Sequence, residues 1–201
     1  MKLDKNKSAP KYNQKKWTRN KYTQRGHNCY SYFLNKIDKK VTKACKRELR
    51  TRKKCHLPQP GLVSKYKNNS LRTLTCNTLD RRIKADNSSI FKTTMQKKCP
   101  KGYYKGALAV DPKVTYHFYR QDRSGYWSHK DGPKKPTQYD SKGKKIKDPK
   151  KAARSYKNVK YPKFCNYYCV PSSTRKKKQS LRNKKWSKIY IKRRDHQPPS
   201  Q

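Results

Sequence analysis

Residues 114–129 read Val-Thr-Tyr-His-Phe-Tyr-Arg-Gln-Asp-Arg-Ser-Gly-Tyr-Trp-Ser-His, and this stretch decides the fold class. Val114, Tyr116 and Phe118 alternate with Thr115, His117 and Tyr119, the pattern of a strand with two different faces. Asp122-Arg123-Ser124-Gly125 is a hairpin signal, after which Tyr126–His129 returns as a second strand. Upstream, the short apolar run Gly106–Val110 closes on Asp111-Pro112 and reads as a further strand. Downstream, 132–149 is a Lys/Pro/Gly-rich connection, and Tyr161–Val170 is a compact aromatic segment holding Cys165 and Cys169.

The first half has a different period. Tyr30, Phe33, Leu34, Ile37 and Val41 recur at three- and four-residue intervals, so one helix is expected from Cys29 to about Arg50–Lys54. Asn28 stands where its N-cap should be. Leu57-Pro58-Gln59-Pro60-Gly61 demands a loop, and a weaker helical stretch follows around Ser70–Lys84. Helices first and an antiparallel sheet second make an α+β fold. The expected layout is a basic arm over 1–25, an α+β domain over 26–171 and a basic tail over 172–201.

Charge narrows the function classes. Lys and Arg number 57 against 11 Asp and Glu, a formal net charge of +46. That much like charge repels itself unless a polyanion or acidic surface neutralises it; on duplex DNA it would match about 80 Å of helix. The two ends account for less than half of the excess, so the middle of the chain is cationic too. Leu, Ile, Val and Phe total only 26 residues, a level typical of disordered chains. Sixteen Tyr and three Trp point instead to a folded middle with a small aromatic core. No segment has the roughly 18 consecutive apolar residues of a membrane span. The charged start, Met1–Tyr12, is not a secretory signal, so the protein is expected inside a cell or a particle.

Seven cysteines are an odd number, leaving at least one unpaired. In a reducing compartment they would be thiols or metal ligands; Cys165 and Cys169 are otherwise expected to be buried beside Phe164, Tyr167 and Tyr168, or to form a disulfide if the particle is oxidising. Cys165 with Cys169, and Cys45 with Cys55-His56, have half-site spacing for zinc, but no paired short knuckle completes a set. With only seven Gly and no phosphate-cradling loop, no cofactor is expected.

Cys29 sits where a thiol is easiest to activate, since a helix N-terminus favours thiolate. His117 on the alternating strand is the candidate general base and His129 the candidate orienting residue, with Asp131 and Asp140 competing for that third role. The basic runs Arg175-Lys176-Lys177-Lys178 and Lys192-Arg193-Arg194 are candidate polyanion contacts that supply charge without reading bases.

Asn28-Cys29-Tyr30-Ser31-Tyr32, Pro58-Gln59-Pro60-Gly61, Tyr116–Asp122 and Gly125–Lys130 resemble a small uncharacterised family found in bacteria and in large nucleocytoplasmic DNA viruses of algae and amoebae. Asp140, Gly143, Ile146, Asp148-Pro149 and the Phe164-Cys165/Tyr168-Cys169 pair extend the resemblance over about residues 26–171. The order of Cys at a helix start, then His, then a polar residue on the next strand, is similar to papain-like and NlpC/P60-type cysteine hydrolases. With the basic ends, the resemblance implies a virion protein made in the host cytoplasm or nucleus. Its expected partners are other virion proteins, nucleic acid or another polyanion, and an anionic membrane surface. Two functions follow: a minor capsid or internal structural protein, or a hydrolase of peptide or amide bonds with Cys29 as nucleophile.

Overall fold

Asn20 and Asn28 start consecutive helices by accepting amides with their side chains, from Thr23 and from Ser31. In the computed structural model, which describes residues 3–51, 54–64, 74–112 and 114–172, five helices precede the sheet. They are α1 (Gln14–Thr18), α2 (Lys21–Gly26), α3 (Cys29–Phe33), α4 (Lys39–Thr51) and α5 (Cys76–Asp86). Five strands follow: β1 (Phe91–Thr93), β2 (Tyr103–Asp111), β3 (Thr115–Gln121), β4 (Trp127–His129) and β5 (Lys163–Pro171). The fold is α+β, with one antiparallel sheet ordered β1-β5-β2-β3-β4.

The single helix expected from Cys29 is two helices. Asn35 takes φ +47, the left-handed conformation that ends a helix. The Asn35 amide then donates to the Tyr32 carbonyl (2.9 Å) and the Lys36 amide to the Ser31 carbonyl (3.0 Å). Those two bonds complete a C-terminal cap, so Ile37 and Val41 belong to a new direction of chain. The described part of residues 1–25 is packed against the domain. Trp17 is buried, its ring 4.9 Å from that of Tyr32. Asn6 Nδ2 donates to the Tyr103 carbonyl (3.0 Å), and Ser8 Oγ accepts the Gly102 amide (3.0 Å). A charged segment is retained because its few apolar and polar side chains pack on α3 and on the end of the central strand β2.

Both faces of the sheet are covered. On one, Tyr104, Leu108, Tyr116, Phe118 and Tyr168 pack against Cys29, Tyr30 and Phe33 of α3 and Leu79 and Ile83 of α5. Gly106 lets α3 approach, since a Cβ there would lie 2.2 Å from the Phe33 ring. On the other face Ala107, Ala109, Tyr119, Trp127 and Tyr167 meet Ile146 and Tyr161 from the long connection between β4 and β5. That cover is held by turns, with the Asp140 carboxylate accepting the amides of Lys142, Lys144 and Ala153.

The cysteines are neither a set of thiols nor metal ligands. Cys45–Cys55, Cys76–Cys165 and Cys99–Cys169 are disulfides, and Cys29 is the one free, buried thiol. The zinc half-site reading fails for a geometric reason. The register of β5 against β2 shifts at Cys165, which packs on the helix face beside Cys76, whereas Cys169 alternates with Tyr168 and Val170 and faces the other way. Among the described residues no three His, Cys, Asp or Glu side chains converge as a metal site. No described helix is long and apolar enough to cross a membrane.

Candidate functional site

Asn28 fixes the start of α3 from two sides: its Oδ1 accepts the Ser31 amide, and its Nδ2 donates to the Pro58 carbonyl (2.8 Å). Cys29 is thereby the first residue of a helix lying on β3. Its thiol is completely buried. Burial pushes it up to about 12, and the backbone amides of Phe118 and Tyr30 offset that only in part. Phe118 packs with Cys29 on the α3 face, whereas its neighbour His117 alternates to the face that carries Tyr119 and His129.

His117 and His129 are brought together. The register sets His129 opposite Tyr119, on the face that also carries His117. His117 Nε2 lies 2.8 Å from His129 Nδ1, and His129 Nε2 lies 3.0 Å from the Tyr139 carbonyl. Since that carbonyl only accepts, His129 carries its proton on Nε2 and accepts at Nδ1 from His117 Nε2–H. His117 Nδ1 is left with a lone pair and, among the described residues, no hydrogen-bond partner. A lone pair held that way is the form a general base needs. Its basicity is low, because burial, and then the neighbouring His129, push His117 down to about 3.

The rival third residues are otherwise engaged. Asp131 pairs with Lys134 at 2.7 Å, and Asp140 holds its own turn. Sequence reasoning missed the aromatic lid and the buried lysine. Tyr161 stacks on His117 with centroids 4.7 Å apart. Its hydroxyl also has no hydrogen-bond partner among the described residues. Lys130, whose Nζ donates to the Gln24 (2.6 Å) and Gly132 (2.7 Å) carbonyls, is lowered by burial to about 7. Lys130 adjoins His129 in sequence and was the only local signal for it. Cys29 and His117 are at 0 % exposure and His129 at 1 %, so the neutral thiol and the neutral imidazoles are all shut off from solvent.

The surface has the opposite character. Among the described residues every fully exposed charged side chain is Lys or Arg, while every Asp and Glu is buried or half-buried. The acids are spent inward. Asp86 accepts from Tyr30 Oη (2.9 Å) and the Gly61 amide (2.7 Å); Asp122 accepts from Arg120 (3.2 Å), Ser128 (2.9 Å) and Gln138 (3.0 Å). Arg175, Lys176, Lys177, Lys178, Lys192, Arg193 and Arg194 lie outside the described residues.

No family model matches the chain, and no solved structure matches it. A curated relative, Insoluble matrix shell protein 1 of Ruditapes philippinarum, is 50% identical over 48 residues. That match covers 24% of this chain and 32% of the relative, so the chain spans about a third of its length.

Proposed function

We propose that the chain is a structural component of an assembled particle: a minor capsid or internal protein of a large DNA virus that holds acidic proteins, genome or anionic lipid on a cationic surface. The observation that carries this reading is the sorting of charge, with bases outward and acids inward, across the described surface. A freely diffusing enzyme gains little from such a surface, whereas a protein that anchors polyanions depends on it. Three disulfides around a closed thiol suit a load-bearing part. The relative's printed name, a matrix protein of a shell, also denotes a component of an assembled material. The viral setting rests on the motif resemblance.

Contact by lysine-rich surface releases counterions and reads no bases, so log affinity for duplex DNA falls steeply with log salt. A labelled duplex competed by unrelated DNA at two ionic strengths tests this. A strong sequence preference, or a flat salt response, overturns the reading.

One observation favours a second reading, a papain-like cysteine hydrolase. The Tyr139–His129–His117 relay leaves a lone pair on His117 Nδ1, on the strand whose next amide reaches Cys29. In that reading His117 takes the thiol proton, and the thiolate held by the Phe118 and Tyr30 amides adds to the carbonyl carbon. Collapse of the adduct breaks the C–N bond as the amine takes the proton back from His117, leaving a thioester for water to hydrolyse. Tyr161 would have to swing away first. Faster alkylation of Cys29 in Tyr161→Ala than in wild type, abolished by His117→Ala, would support it; equal rates in all three sink it.

A further inference from the structure

A second site lies where the amino-terminal segment crosses the far end of the sheet. Gly125, at φ +90, leaves room for the Leu3 side chain and the Asp4 backbone, since a Cβ there would come within 2.9 Å of Leu3 Cβ and 3.1 Å of the Asp4 amide nitrogen. This close approach lays Asp4–Lys7 beside Lys98 and Cys99, around a cavity of about 160 Å³. Its remaining walls are Lys105 and Gln121, one position beyond the Gly106–Arg120 pair on neighbouring strands. The Cys99–Cys169 disulfide pins the loop wall to β5.

The walls are built for an anion that also donates a proton. Lys105 and Gln121 are 2 % and 1 % exposed. Lys105 Nζ donates to the Met95 carbonyl and lies 3.9 Å from the Asp4 carboxylate. Lys98 is near enough to repel its charge. Among the described residues Lys5, Lys7 and Lys98 have no carboxylate within ion-pair distance. Four lysines thus line the cavity with one carboxylate among them. Gln121 Nε2 donates to the Gly125 carbonyl (3.2 Å), but its Oε1 is buried without a partner. An orphaned buried acceptor costs about 1–3 kcal/mol unless a ligand or water satisfies it.

We propose that this cavity binds the sulfate ester of an acidic polysaccharide, with Lys5, Lys7, Lys98 and Lys105 around the ester oxygens and a neighbouring ring hydroxyl donating to Gln121 Oε1. The volume equals about five waters' share of liquid, room for a tetrahedral oxyanion and the ring carbon that carries it. A DNA phosphodiester brings no hydroxyl beside its anion, so it would leave Gln121 unanswered. The proposal deepens the polyanion-holding reading and rests on it for the role of the site.

The test is calorimetric titration of the full oxidised chain with N-acetylglucosamine 6-sulfate, inorganic sulfate and uridine 3′-monophosphate, beside duplex DNA. The sulfated sugar should bind best of the three small probes. The exposed pair Lys7→Gln/Lys98→Gln should weaken it about tenfold or more, while duplex binding, spread over the whole surface, falls less than about threefold. Gln121→Met should remove the preference for sulfated sugar over inorganic sulfate. Equal binding of sugar sulfate and inorganic sulfate by wild type, tighter binding of the nucleotide, or no effect of the lysine pair overturns the site. Failure of wild type to bind duplex, with the sugar arm intact, overturns the general surface reading and leaves the cavity standing.

Discussion

Removing disulfides one pair at a time should rank them by the loop each closes in the unfolded chain. Cys45–Cys55 spans 10 residues and shares no loop with the others. The chain-entropy relation makes it worth about 2.7 kcal/mol. Cys76–Cys165 and Cys99–Cys169 span 89 and 70 residues and interlock. With one intact, the other closes an effective loop of only about 28 residues, the path from Cys76 to Cys99 and back from Cys169 to Cys165, so either alone is worth about 3.6 kcal/mol. Once its partner is gone, the survivor closes its full span and is worth about 4.5 kcal/mol. Cys76→Ala/Cys165→Ala and Cys99→Ala/Cys169→Ala should therefore each cost more than Cys45→Ala/Cys55→Ala. The quadruple variant should exceed the sum of its two halves by about 1 kcal/mol. Urea unfolding followed by tryptophan fluorescence measures each cost as midpoint times slope. If the short-loop pair costs as much as an interlocked pair, or if no pair costs anything, the pairing or the reasoning is wrong.

Thiol counting checks the same framework: iodoacetamide without reductant should label no cysteine in the native chain and Cys29 alone after unfolding in urea, as read by mass spectrometry. Trp17→Ala should cost about 3–5 kcal/mol, the usual penalty for deleting a buried large aromatic, and show as a lower urea midpoint. The same packing means that removing residues 1–25 should broaden or abolish the cooperative thermal transition. The last expectation concerns pH. His27 Nε2 accepts the Asp38 amide (2.9 Å), and burial holds the imidazole down to about 4, below the ordinary value of about 6.5. The unfolded chain therefore binds the extra proton, so this stabilisation is full above pH 6.5 and drains away as pH falls toward 4. The loss is about 3 kcal/mol from His27, with His117 and His129 shifted in the same direction. His27→Gln should flatten the dependence of the unfolding midpoint between pH 7 and 4.

What could be read from sequence was local. The Asn28 cap, the 115–121 strand and the turn at Gly125 each depend on residues within a few positions, and each stands where expected. The break at Asn35 was hidden because apolar spacing continues across it while the backbone reverses hand. Trp17 was overlooked in a lysine-rich segment because a single buried ring leaves no period. Disulfide partners depend on the shift in register at Cys165, which no spacing encodes. The same holds at the candidate site. The nearness of His117 to His129 follows from hairpin register and was legible, whereas Tyr161, which stacks on His117, arrives from the far end of the connection between β4 and β5.

The inward placement of acids also governs how copies of the chain behave toward one another. At the described surface the fully exposed charges that two molecules offer each other are all positive, and they are felt over about 8 Å at physiological ionic strength. Self-association is opposed until an anionic spacer enters between them, and the same spacer then draws several copies at once. Stoichiometry becomes a matter of neutrality, near one chain per 46 negative charges. On either side of that ratio the excess component recharges the complex and disperses it, so the material would be densest at balance and would redissolve when either ingredient is oversupplied.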